Sequence, residues 1–333
     1  MTMKERLDYI DNVAGIMIIW MILGHCSLFS AFYIPGYWIL GFYMPWFFYK
    51  SGMFFQTRNR QELMKKDYKK FIIPFLVYSL IGWFVYSICG LIDGSQTLSS
   101  CFLHPLKSII LRGNIKGNGA LWFLLSLFFV RQISNILISK QLLPAPILSV
   151  ICCAFAFVLY YLGWYNYSWW FGNLFSGLCF FLLGYWMNNK KLNWFSTMLA
   201  LLFFVGCLVL KMFRLVEFPY LYMHANKMYC GNYILFYPLA FSGVLLTNHF
   251  FEILSSKMKF TILNYIGRNS MNFYVTHWIL LTIVSFIAKY FFRIESSKML
   301  FLILVISCIV FLPLISFFID QIHLSKNSKQ IDS

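Results

Sequence analysis

Three ionisable side chains lie where an apolar chain should carry none: His25 in VAGIMIIWMILGHCSLFSAF, Lys50 in GFYMPWFFYKSGMFF and His277 in NSMNFYVTHWILL. An ionisable group inside lipid is costly, so each is a candidate for function. His25 falls ~18 Å from the inner end of its run at 1.5 Å per residue. A neutral imidazole held at that depth can take a proton from a hydroxyl, which is general-base chemistry in a water-poor cavity. The plain alternative is a histidine satisfied by a neighbouring helix. Lys50 lies near the inner end of its run, where a lysine can also snorkel to the surface. Tyr43, Phe47 and Lys50 share a helical face at i, i+4 and i+7. Tyr43, ~9 Å from the outer end of the same run, comes at a depth like that of His25, which leaves a Tyr–His contact open. His277 is ~10 Å from the inner end of a run that Asn272 and Tyr274 also make polar. Hydrogen bonding between helices is its alternative role.

The elements that must position these groups are apolar runs of about twenty residues. Ten can be marked: 13–32, 37–55, 71–92, 119–138, 144–162, 168–187, 194–211, 231–251, 270–290 and 299–320. Hydrophobic residues make up 60% of the 333 and charged residues 11%, too few charges to cover a soluble domain. The runs do not alternate in tens as barrel strands do. The expectation is an all-α, polytopic membrane helical bundle of about ten transmembrane helices, one domain over residues 1–333. Most of the 27 Lys and Arg residues fall on one side if the N-terminus is cytoplasmic, with the densest group at Arg58, Arg60, Lys65, Lys66, Lys69 and Lys70. That bias puts both termini in the cytoplasm. The first run is too long for a signal-peptide core and reads as an uncleaved span.

The net charge of +16 is interspersed between apolar runs rather than gathered among aromatics, so topology explains it better than nucleic-acid binding. The nine cysteines form no CxxC and no metal-ligand spacing, so no metal is expected; Cys101 and Cys230 fall in loops placed outside, where a disulfide could form. There is no G-x-S-x-G, no Gly-rich phosphate loop, no HExxH and no HxxxxD. No acidic pair shares a run, which argues against a carboxylate proton relay.

Several segments together resemble the acyltransferase family 3 membrane proteins. RLDYIDNVAGIMIIWMILGHCSLF is similar to that family's opening, with Arg, then Ile-Asp, then a Gly-started apolar run ending in His. GFYMPWFFYKSGMFF resembles its second-span F-H-M-P-L-F-F-x-x-S-G. MKKDYKKFIIPFLVYS, GALWFLLSLFF and IGRNSMNFYVTHWILL resemble its third-span, G-x-L-W-F-L and late I-G-x-x-S-x-x-x-Y-x-x-H segments. The fucose 4-O-acetylase-like branch is the most similar. The resemblance implies ten spans and transfer of an acyl group, usually acetyl from acetyl-CoA, to a hydroxyl of a cell-surface glycan or other envelope molecule. No resident cofactor is implied, acetyl-CoA being the donor substrate. His25 would be the catalytic histidine, Arg6 and Asp11 would sit at the cytoplasmic mouth, and His277 would line the cavity. Two positions depart from the pattern. Ala14 replaces a basic residue eleven positions before the histidine, and Tyr43 replaces the second-span His. Lys50 on the neighbouring span is the candidate replacement for the missing cation.

On this reading, acetyl-CoA approaches the basic 58–70 segment from the cytoplasm. His25 acts as base or as transient acyl carrier. Lys50, Tyr43 or Asn272 polarises the carbonyl. Trp122 stacks on a sugar or anchors at the membrane interface. The partners are acetyl-CoA, the envelope acceptor and the bilayer of a bacterial cytoplasmic (inner) membrane. The alternatives are a transporter or flippase of an envelope intermediate, with histidines along a path, and an inactive, sensor-like relative in which Ala14 marks lost chemistry.

Overall fold

The computed structural model describes residues 8–331 except 27, 33–40, 99, 102–107, 110, 142, 164–167, 189, 191–193, 214–222 and 224–232. Arg6 and Cys230 lie outside the described residues, and Cys101 is a buried free thiol. The described chain is helical with no strand. Twelve helices of a turn and a half or more are labelled in chain order: α1 Asp8–His25, α2 Tyr43–Met53, α3 Arg60–Asp67, α4 Ile73–Ile92, α5 Trp122–Ser139, α6 Ala145–Tyr161, α7 Leu174–Met187, α8 Trp194–Met212, α9 Tyr233–Lys257, α10 Thr261–Arg268, α11 Ser270–Phe286 and α12 Ser297–Ile331.

Each of the ten predicted runs contains a helix. Among the described residues, four helical stretches are long and apolar enough to cross a membrane by themselves: Arg60–Ile92, Gly119–Ser139, Ser270–Phe291 and Ser297–Ile322. The protein is a multi-pass membrane protein. Exposed apolar side chains line α4, α6, α8 and α12, with Phe84 66% and Ile309 68% exposed, apolar area that water would not tolerate in such quantity.

Three predicted spans are not single long helices; in the 168–187 run the turn Trp169–Gly172 is separated from α7 at Asn173. The 13–32 run is a helix that stops at His25, followed by a separate turn, Leu28–Ala31. Gly24 weakens the last turn, and the His25 ring is held by another helix, so the break falls at the histidine. The helix in the 37–55 run has 11 residues, ~16 Å, about half a hydrocarbon layer. The polar 56–70 break, in turn, is helical. Asn59 caps α3 by accepting from the Gln61 N–H, and a π-helical turn at Tyr68–Ile72 joins α3 to α4.

The helices nearest the candidate site meet through glycine. α1 and α10 run antiparallel, with Gly15 against the Leu263 carbonyl and Gly267 against that of Asp11; a Cβ at either glycine would overlap the opposing backbone. α2 and α7 repeat the device, with Gly52 against Phe181 and Gly184 against Tyr49. Backbones this close gain dispersion contacts where lipid supplies no hydrophobic drive between helices. Polar side chains tie further pairs: the Trp46 indole donates to Asn248 across 2.8 Å, and the Asn12 amide donates to Ser255 across 2.9 Å.

Residues 113–121, which join the end of the connection between the predicted runs 71–92 and 119–138 to the start of the second run, fold back into the bundle. Asn114, Ile115 and Asn118 are buried, and Gly117, at φ +90°, lies against the Gly82 carbonyl. Gly82 is ten residues before the end of α4, so the loop returns ~15 Å along that helix. Such irregular backbone survives because protein surrounds it. The Asn118 amide donates to the Val275 carbonyl at 2.9 Å, and the Tyr274 hydroxyl donates to the Ala120 carbonyl, fastening the loop to α11.

Candidate active site

His25 and His277 meet. Nδ1 of His25 lies 3.0 Å from Nε2 of His277, with the rings 8° from parallel and their centroids 5.2 Å apart. The centroid separation is close to the N···N distance plus one ring radius at each end. The two nitrogens therefore lie on the line between the rings, in the geometry of an in-plane hydrogen bond and not of face-to-face stacking. The contact follows from the order of the helices. α10 runs back along α1, and α11 returns beside it, so residues 252 positions apart share a depth.

His277 is fully buried, and its other ring nitrogen, Nδ1, faces the carbonyl oxygens of Tyr274 at 2.7 Å and Phe273 at 3.2 Å. His25 is half-buried at the end of α1, with the edge of the Trp278 indole against its ring at a centroid distance of 4.6 Å. Trp278 also covers Gly119 of the re-entrant loop. The loop, α1 and α11 therefore converge on one histidine. The sequence reading missed both Trp278 and Asn118. The adjacent His-Trp pair was a usable signal for the first, whereas nothing local marks a loop that folds inward.

A second cluster sits at the start of α1. The buried Asp11 carboxylate is 3.8 Å from Lys50 Nζ and 3.5 Å from Arg268 Nε, and Arg268 also reaches Asp8 at 3.0 Å. Both acids lie in the first turn of α1, where the exposed N–H groups favour negative charge. Lys50 further lies over the Trp46 ring, 5.4 Å from its centroid. It is thus paired inside the bundle, not snorkelling alone. Asp11 and His25 are fourteen residues apart on α1, ~21 Å. Lys50 is accordingly remote from the histidine and cannot polarise a carbonyl reacting there.

The remaining expected residues are placed as follows. Tyr43 opens α2, half-buried and within electrostatic range of Tyr274. Asn272 points elsewhere: its amide donates to Asp320 at 2.9 Å and Ser316 at 3.2 Å on α12. Five residues separate it from His277, ~140° around the helix, which removes it as an oxyanion donor. Trp122 is 5% exposed and packed within the core, so it is not an interface anchor, which needs a ring exposed at the headgroups. Behind the basic 58–70 segment, the wholly buried Asp67 accepts from Arg131 at 2.9 Å and Gln132 at 3.0 Å. No group of metal-ligating side chains occurs among the described residues.

Searches among curated proteins and among solved structures each returned no match. A family model described as "Acyltransferase domain" matches residues 7–319, nearly the whole chain and both halves of the histidine pair. With its membrane helices and the paired histidines that α1 and α11 bring together, the chain belongs to acyltransferase family 3 and is a membrane acyltransferase.

Proposed function

We propose that the protein is an O-acyltransferase of a bacterial cytoplasmic membrane, moving an acetyl group from acetyl-CoA to a hydroxyl of a cell-surface glycan or other envelope molecule. The observation that carries this reading is the half-buried His25 in line with His277, ~21 Å along α1 from a cluster of charged side chains. That layout suits a donor whose phosphates and thioester lie at opposite ends of a long molecule. With both termini cytoplasmic, the cluster of Asp8, Asp11, Lys50 and Arg268 and the basic 58–70 segment lie on the side where acetyl-CoA is available. The phosphates are drawn by the positive field. The thioester reaches His25 along α1.

His25 takes the proton from the acceptor hydroxyl as its oxygen attacks the thioester carbonyl. A C–O bond forms, the tetrahedral intermediate collapses, and the C–S bond breaks. The departing CoA thiolate recovers the proton from the imidazolium.

The test is incubation of purified protein with radiolabelled acetyl-CoA, wild type against His25→Ala, following CoA release with and without a crude envelope-glycan fraction. Release that the glycan stimulates and His25→Ala abolishes is the expected result. Folded wild-type protein that releases no CoA from any of several acyl donors would overturn the reading in favour of transport or sensing.

A further inference from the structure

The hydrogen bonds around His277 decide which nitrogen of His25 is basic. A carbonyl oxygen only accepts, so His277 Nδ1, facing the carbonyls of Tyr274 and Phe273, must carry a hydrogen. In a neutral imidazole the other nitrogen then holds the lone pair. That nitrogen is Nε2, 3.0 Å from His25 Nδ1, so the hydrogen between the rings belongs to His25. Neutral His25 is left with its lone pair on Nε2. The Trp278 edge against the His25 ring resists the half-turn that would break this register.

We propose that His277 is a positioning residue that fixes the tautomer of His25, through backbone carbonyl, His277 and His25 in series, so that Nε2 is the nitrogen presented to an acceptor hydroxyl. The catalytic consequence rests on the acyltransferase reading; the tautomer does not. The arrangement follows a general physical rule, that the bond made by one imidazole nitrogen sets the state of the other. Here the orienting group is a second histidine, itself oriented by the i−4 and i−3 carbonyls of its own helix, α11. It needs no carboxylate.

The experiment is nitrogen NMR of the full chain labelled with 15N-histidine in lipid nanodiscs, with His25 assigned by loss of its signals in His25→Asn. Wild type should show a protonated, pyrrole-type Nδ1 and a pyridine-type Nε2 at His25. His277→Leu keeps the apolar volume but removes the acceptor, so the population should move toward Nε2–H and kcat should fall by about 10²–10⁴-fold, the usual contribution of a general base. The donor KM should stay within a factor of a few. His277→Gln offers a carbonyl near the lost Nε2 and should retain the Nδ1–H form and recover part of kcat, which a purely packing role would not produce. Wild-type His25 protonated on Nε2, or a His277→Leu spectrum with the tautomer unchanged, overturns the proposal. The wild-type spectrum, with His25 assigned through His25→Asn, decides the first point even if His277→Leu does not fold. The expected wild-type tautomer in a protein that transfers no acyl group would sustain the His277 assignment while sinking the acyltransferase reading.

Discussion

Replacing Lys50 by Met tests whether the cation missing from α1 has moved to α2. Ala14 is fully buried, and Asp11, one turn before it, is the group that Lys50 Nζ reaches at 3.8 Å. The ammonium therefore occupies the neighbourhood that a basic side chain at position 14 would reach. Its distance from His25, set by ~21 Å of α1, limits it to holding the charged end of the donor. A hydrogen bond to a charged group contributes about 1.5–3 kcal/mol, which corresponds to ~10–150-fold in binding. The donor KM should rise by that factor with kcat little changed, because the contact is equal in ground and transition states. Initial rates of CoA release at varied acetyl-CoA and saturating acceptor measure it. The substitution also takes a cation from buried Asp11, so Lys50→Met/Asp11→Asn is made in parallel. If Lys50 only neutralises Asp11, the double variant regains the wild-type KM; if Lys50 meets the donor, KM stays high. An unchanged donor KM in Lys50→Met alone refutes the reasoning.

Gly184→Ala drives a Cβ into the Tyr49 carbonyl and should destabilise the α2–α7 contact by ~1–3 kcal/mol, whereas Gly206→Ala, with open space around its Cβ, should not lower the unfolding temperature in detergent. Arg131→Ala strands the wholly buried Asp67 and should cost about 3–5 kcal/mol, read as a lower thermal transition that Arg131→Ala/Asp67→Leu partly restores. Asn118→Leu removes the bond from the re-entrant loop to Val275 and should cost ~1–3 kcal/mol locally; limited proteolysis within 113–121 should accelerate while total helix content holds.

The sequence made the helices legible where lipid is the solvent. Runs such as 71–92 and 299–320 carry a single physical demand, that every backbone group bond within its own segment, and composition alone reveals it. It failed where a neighbour overrides composition. Residues 13–32 are apolar enough to span as one helix, yet the helix ends at His25, where a ring from α11 holds it. GNIKGNGA is polar and rich in glycine, which reads as a surface break; its asparagines are instead consumed inside, Asn114 on Gly119 and Asn118 on Val275. The two histidines stood out as anomalies, but their partnership did not. Depth counted from predicted ends put them ~8 Å apart along the membrane, and only the return of α10 along α1 brings them level.

That return also explains why the charged cluster and the histidine pair belong to one device. Gly15 and Gly267 let α10 lie directly on α1, and the close approach brings Arg268 onto Asp8 and Asp11 at one end. The same chain then reverses at Asn269 and carries His277 up to His25. A bulkier residue at either glycine would part the helices and loosen both ends together. The two glycine contacts set the axial register of α10 against α1. The register sets how far α11 must climb before its histidine meets the end of α1, and a shift of one residue, ~1.5 Å, would lengthen a 3.0 Å bond beyond hydrogen-bonding reach.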